Sequence, residues 1–113
     1  MRIWNEQLIP KLCQKHLCAM WREGLGAFKI ITENRTNLSY WKHPATQEFV
    51  NAPLELKNRL WAVRKEMLKR GYHPKELPDC KMKIGGKINE WQNLEQQIEI
   101  LKSKHCKCNL LNI

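Results

Sequence analysis

His16, Arg22 and Glu23 are the residues in this chain whose types and spacing best suit chemistry. On a helix, a separation of seven brings His16 and Glu23 within about 20° of each other around the axis and about 10 Å apart along it. Both stand at the edge of an apolar stripe, where partial burial suits a carboxylate to proton transfer. The plainer reading of the same residues is that Arg22 and Glu23 are two solvated surface charges. The chain carries no Gly-rich phosphate loop, no paired-histidine metal motif and no serine nucleophile motif. Cys13 and Cys18 fall beside apolar residues in the same predicted helix and read as buried, inert thiols. His43 and His73 each precede a proline and are assigned no role.

Three amphipathic helices must position these groups. The first is predicted from about Lys11 to Ile31, with Pro10 at its first position and a stripe of Leu17, Trp21, Gly24, Phe28 and Ile31. Gly24 and Gly26 weaken its middle and are candidates for a bend. Residues 32–53 read as one long loop, punctuated by Asn34, Asn37, Pro44, Asn51 and Pro53. The second helix is predicted from about Leu54 to Arg70, its core face formed by Leu56, Leu60, Val63 and Met67 and widened by Trp61 and Leu68, with Gly71 as its stop. The third is predicted from about Lys87 to Lys104, with Ile88, Trp91, Leu94, Ile98 and Leu101 facing inward. Trp21, Trp61 and Trp91 are thus expected in the core. Trp4 reads as an anchor for the N-terminal arm, and Trp41 as a residue able to stack on a base. The expectation is an all-α fold: one compact domain over residues 1–113, three main helices, long loops, and a C-terminal tail from about 105 that frays.

Composition narrows the function classes. The chain has 113 residues with 20 Lys+Arg against 11 Asp+Glu, a formal net charge of +9, which favours a polyanionic partner such as nucleic acid. Apolar runs are too short to span a bilayer, and the N-terminus lacks the apolar core of an export signal. Five cysteines, an odd number, fit reduced thiols in a cytoplasmic compartment. His105, Cys106 and Cys108 cluster near the C-terminus, with Cys80 the other loop thiol, but their spacing matches no common zinc pattern. No metal and no cofactor are expected.

Four stretches resemble the pyrimidine dimer DNA glycosylases of the phage endonuclease V type: Met1-Arg2-Ile3; Gln14-Lys15-His16-Leu17 with Trp21-Arg22-Glu23; Gly26-Ala27-Phe28-Lys29; and Leu68-Lys69-Arg70-Gly71-Tyr72. Their order and separations agree with the family over residues 1 to about 75. The resemblance implies three helices with the N-terminal arm threaded between them. It implies removal of a damaged pyrimidine from double-stranded DNA, then strand cleavage at the abasic site. The family's nucleophile is its free N-terminal α-amine, which here belongs to Met1; the bulky Arg2 that follows favours retention of the methionine. An α-amine, with an ordinary pKa of about 7.7–8.0, is partly neutral at pH 7 and able to attack a sugar carbon. Glu23 matches the family's catalytic carboxylate, and Arg2, His16 and Arg22 match positions that contact phosphates, with Lys15 beside them.

The sequence departs from the family at Gly26, where another DNA-contacting arginine is the rule, and at the C-terminus, which lacks the aromatic, basic tail. Both departures bear on dimer recognition more than on the amine–carboxylate pair. The leading expectation is a monomeric DNA glycosylase with abasic-site lyase activity and no membrane association. The alternatives are a non-catalytic basic DNA- or RNA-binding module on the same fold, and an interaction protein that docks a partner through the Gln92, Gln96 and Gln97 face.

Overall fold

The computed structural model describes residues 2–77, 86–104 and 107–109. After an N-terminal arm and a 3-10 helix at Glu6–Lys11 come helix α1 (Gln14–Thr32), a 3-10 helix at Ser39–Lys42, and helices α2 (Pro44–Gln47), α3 (Pro53–Lys69) and α4 (Leu94–Ser103). No strand occurs among the described residues. The fold is all-α, as its periodicity indicates.

The core forms where α1 lies against α3. Leu17, Met20, Trp21, Ala27, Phe28 and Ile31 of α1 meet Leu56, Leu60, Val63 and Met67 of α3 in one buried cluster. The closest approach is at Gly24, where a Cβ would sit 2.5 Å from Leu60 Cδ2. Gly24 therefore serves packing, and α1 runs unbroken through both of its glycines rather than bending there. The α3 stop follows expectation: Gly71, at φ +85°, and Tyr72 donate their N–H groups to the carbonyls of Leu68 and Met67.

The arm is packed between the helices. Ile3, Trp4, Leu8, Ile9 and Leu12 are all buried in the same cluster, which also takes in Ile98 and Leu101 of α4. The Asn5 amide donates to Gln97 Oε1 of α4 at 2.6 Å, so the arm is fixed by polar bonds as well as by apolar area. Trp4 is buried and acts as an anchor.

Four expectations need correction. The first helix does not begin at Lys11: Pro10 lies inside the preceding 3-10 turn, and Leu12 and Cys13 are extended. That turn, capped by the Asn5 side chain on the Gln7 amide, buries Leu8 and Ile9, and the extended pair redirects the chain into α1. The third helix starts at Leu94 because Asn93 and Gln96 form a reciprocal capping box. Upstream of it, the amides of Asn89 and Trp91 bond to the Glu48 carbonyl and carboxylate instead, while a Cβ on Gly86 would strike the Asn51 carbonyl oxygen. Trp61, Leu68 and Trp91 are 48%, 47% and 38% exposed rather than core. Trp61 follows Leu60 by one residue, about 100° around the helix, and the Arg64 guanidinium covers its ring. Finally, residues 32–53 are not a structureless loop: they carry two short helices and bury Ala45, Thr46, Glu48, Phe49 and Ala52.

Candidate active site

Glu23 stands midway along α1, half-buried, where the arm crosses the helix. The Arg2 backbone N–H donates to its Oε2 at 3.0 Å. The carboxylate is thus held against the second residue of the chain. Met1 itself lies outside the described residues.

Clefts open on both sides of this carboxylate. One, of about 150 Å³, is lined by Arg2, Trp4, His16, Ala19, Met20, Glu23 and Lys104. The other, of about 260 Å³, is lined by Arg22, Glu23, Gly26, Ala27, Ile30 and Tyr40. The seven-residue spacing therefore does bring His16 and Glu23 to one cleft, while Arg22 faces the next. At Gly26 a Cβ would meet nothing within 4 Å, so there is open space beside the carboxylate.

The charges around the site are mostly positive. Lys15 and Arg22 are exposed on α1, and Lys104 caps the C-terminus of α4. Burial, with Lys104 and Lys15 nearby, pushes the His16 imidazole below its ordinary value, toward the neutral form. Its ring meets Trp4 edge to face at 6.0 Å. The Arg2 guanidinium is already engaged: it lies 5.0 Å from the Trp91 ring and 5.8 Å from that of Trp4, and donates to Gln92 Oε1. This clamp ties the arm to the segment before α4.

Three residues near the site were not singled out by sequence. Tyr40, 57% exposed, lines the larger cleft, whereas its neighbour Trp41 does not. Lys104 comes from the far end of the chain. His43 packs against Trp91 at 5.7 Å and caps α2, its Nδ1 accepting the Ala45 N–H at 3.1 Å. Burial and the Arg2 charge hold its imidazole below the ordinary value, against a smaller opposing pull from Glu23. Only tertiary folding of the 32–53 segment brings His43 and Tyr40 here, so no local signal marks them.

Metal-type ligands converge elsewhere than the sequence indicates. His105, Cys106 and Cys80 of the weighed tail and loop lie outside the described residues. Cys108 instead meets Cys13 and His16, their ligand atoms all within 4.8 Å of one another. Cys13 is neither fully buried nor inside the helix: it is the half-buried N-cap of α1.

No helix among the described residues is long and apolar enough to cross a membrane. No curated protein and no solved structure matches the chain. Residues 1–79, however, match the family model described as pyrimidine dimer DNA glycosylase. That match spans the arm, α1 and α3, the elements that carry and bury the Glu23 site, and on it the chain belongs to the pyrimidine dimer DNA glycosylase family.

Proposed function

We propose that this protein is a DNA glycosylase with abasic-site lyase activity, acting on damaged pyrimidines in duplex DNA through the α-amine of Met1. The observation that carries the reading is the bond from the Arg2 amide to Glu23 Oε2. Three covalent bonds separate the Arg2 nitrogen from the α-amine, and their summed length keeps the two within about 4 Å. The amine is therefore tethered within about 7 Å of the carboxylate, a distance that a bound sugar ring can span.

The neutral amine attacks C1′ of the damaged nucleotide, and the glycosidic electron pair leaves with the base, which takes up a proton. The resulting sugar–amine adduct opens to an imine. Glu23 stabilises the cationic sugar while the bond breaks, then removes a 2′ proton, and β-elimination expels the 3′ phosphate. Arg22, Lys15 and His16 bind backbone phosphates around the clefts, and Arg2 holds the arm in place while its amide orients Glu23. The open space at Gly26 changes how the lesion is gripped without touching the amine–carboxylate pair. The protein works as a monomer; its odd number of cysteines supports a reducing compartment.

The test is borohydride trapping of the untagged protein on a duplex with one abasic site. A covalent adduct is expected, lost when the N-terminus is acetylated. DNA binding without an adduct would overturn the mechanism and leave a non-catalytic binding module.

A further inference from the structure

The Cys13, His16 and Cys108 side chains lie apart from the amine–carboxylate pair, yet His16 borders its cleft. Two of their three separations lie close to the edges of a metal tetrahedron, and the third is within 4.8 Å. His16 Nδ1 is 3.2 Å from Cys13 Sγ and 3.3 Å from Cys108 Sγ. A tetrahedral zinc ion, with Zn–S near 2.3 Å and Zn–N near 2.0–2.1 Å, sets S···N edges of about 3.5 Å. Closing that difference takes a few tenths of an ångström at each side chain.

The surroundings suit thiolates. The Cys13 backbone N–H donates to Cys108 Sγ at 3.1 Å. Cys13 sits at the N-cap of α1, where unpaired amides and the helix dipole favour negative charge. All three side chains are half-buried. The cluster also has a means of assembly: the Asn109 N–H donates to the Lys11 carbonyl at 2.8 Å, which pins the tail beside the start of α1.

We propose that Cys13, His16 and Cys108 supply three ligands to a divalent zinc-type cation. Both thiols lose their protons on binding, and the two thiolates balance the charge of the ion. The histidine binds through Nδ1. The metal then joins the 107–109 segment to α1 and fixes the ring of His16, a residue that lines the Glu23 cleft. Its role is structural: it holds together two parts of the chain that are far apart in sequence.

The experiment uses the full chain, reduced and stripped with a chelator, titrated with Co2+ and then with Zn2+. One Co2+ per chain is expected, with a thiolate-to-cobalt charge-transfer band and the visible bands of a tetrahedral ion, all displaced by Zn2+. Cys13→Ser, Cys108→Ser and His16→Gln should each weaken binding by more than about a hundredfold, beyond the 10–100-fold that losing an outer-shell partner costs. Cys18→Ser should bind as the parent does. A second measurement needs no variant: Zn2+ should slow alkylation of Cys13 and Cys108, mapped by peptide mass, and leave Cys18 unchanged. Substoichiometric binding, a Co2+ spectrum without the charge-transfer band, full binding by a folded Cys13→Ser or Cys108→Ser chain, or a Cys13–Cys108 disulfide formed in place of metal binding would each overturn the proposal.

Discussion

Glu23 combines two functions that a single substitution can separate. Its carboxylate accepts the Arg2 N–H, and it borders the clefts on either side. Glu23→Gln retains an oxygen for the Arg2 amide but cannot carry a proton from the sugar. Strand cleavage at an abasic site should fall about 10²–10⁴-fold, with an unchanged melting temperature; an equal loss of stability would mean that the residue matters only for packing the arm. His43 gives a second prediction. Its Nδ1 must stay unprotonated to cap α2, and its folded-state pKa lies below the ordinary 6.5. The stability it contributes is complete above pH 6.5 and falls as the pH drops below that value, levelling off beneath the folded-state pKa. His43→Asn keeps a capping acceptor that does not titrate, so urea unfolding between pH 7 and 5 should show a shallower pH slope. At this scale the sequence was legible where chemistry is local. The seven-residue spacing of His16 and Glu23 is a property of one helix, whereas His43, Tyr40 and Lys104 reach the site only through tertiary packing.

The elements explain why the two glycines of α1 are not equivalent. Gly24 faces Leu60 at a distance that leaves no room for a methyl group, while Gly26 faces open space. Gly26→Ala should stabilise the helix by about 0.5–1 kcal/mol through backbone entropy alone. Gly24→Ala gains the same entropy but pushes a fully buried leucine, and overpacking of that kind costs about 1–3 kcal/mol. Thermal melts should therefore rank Gly26→Ala above the parent and Gly24→Ala below it. α1 and α3 were readable because their apolar stripes repeat at helical spacing and a glycine in the left-handed region ends α3. The start of α4 was also written in the chain, as Asn93 and Gln96, but the apolar residues Ile88 and Trp91 extended the apparent stripe upstream. Periodicity cannot distinguish a helix from an irregular segment whose amides are taken by a distant Glu48.

The net charge of +9 acts over the whole molecule, but it grips DNA only where cations face the phosphates. Arg22 is exposed beside the larger Glu23 cleft, with Lys15 exposed on the same helix. Lys65 and Lys69 of α3 line a different hollow together with Glu6, Glu66 and Trp61, where the carboxylates offset them. If phosphates approach the Glu23 face, Arg22→Ala removes one released counterion, and the slope of log K against log salt should become shallower by about 0.9. Lys65→Ala removes the same charge from the molecule and should leave the slope unaltered. Binding of a duplex with one abasic site, measured from low to moderate salt, distinguishes a local footprint from a diffuse one. Equal changes in the two variants would show that DNA responds to total charge alone, and the clefts beside Glu23 would lose their claim to be the place where the duplex docks.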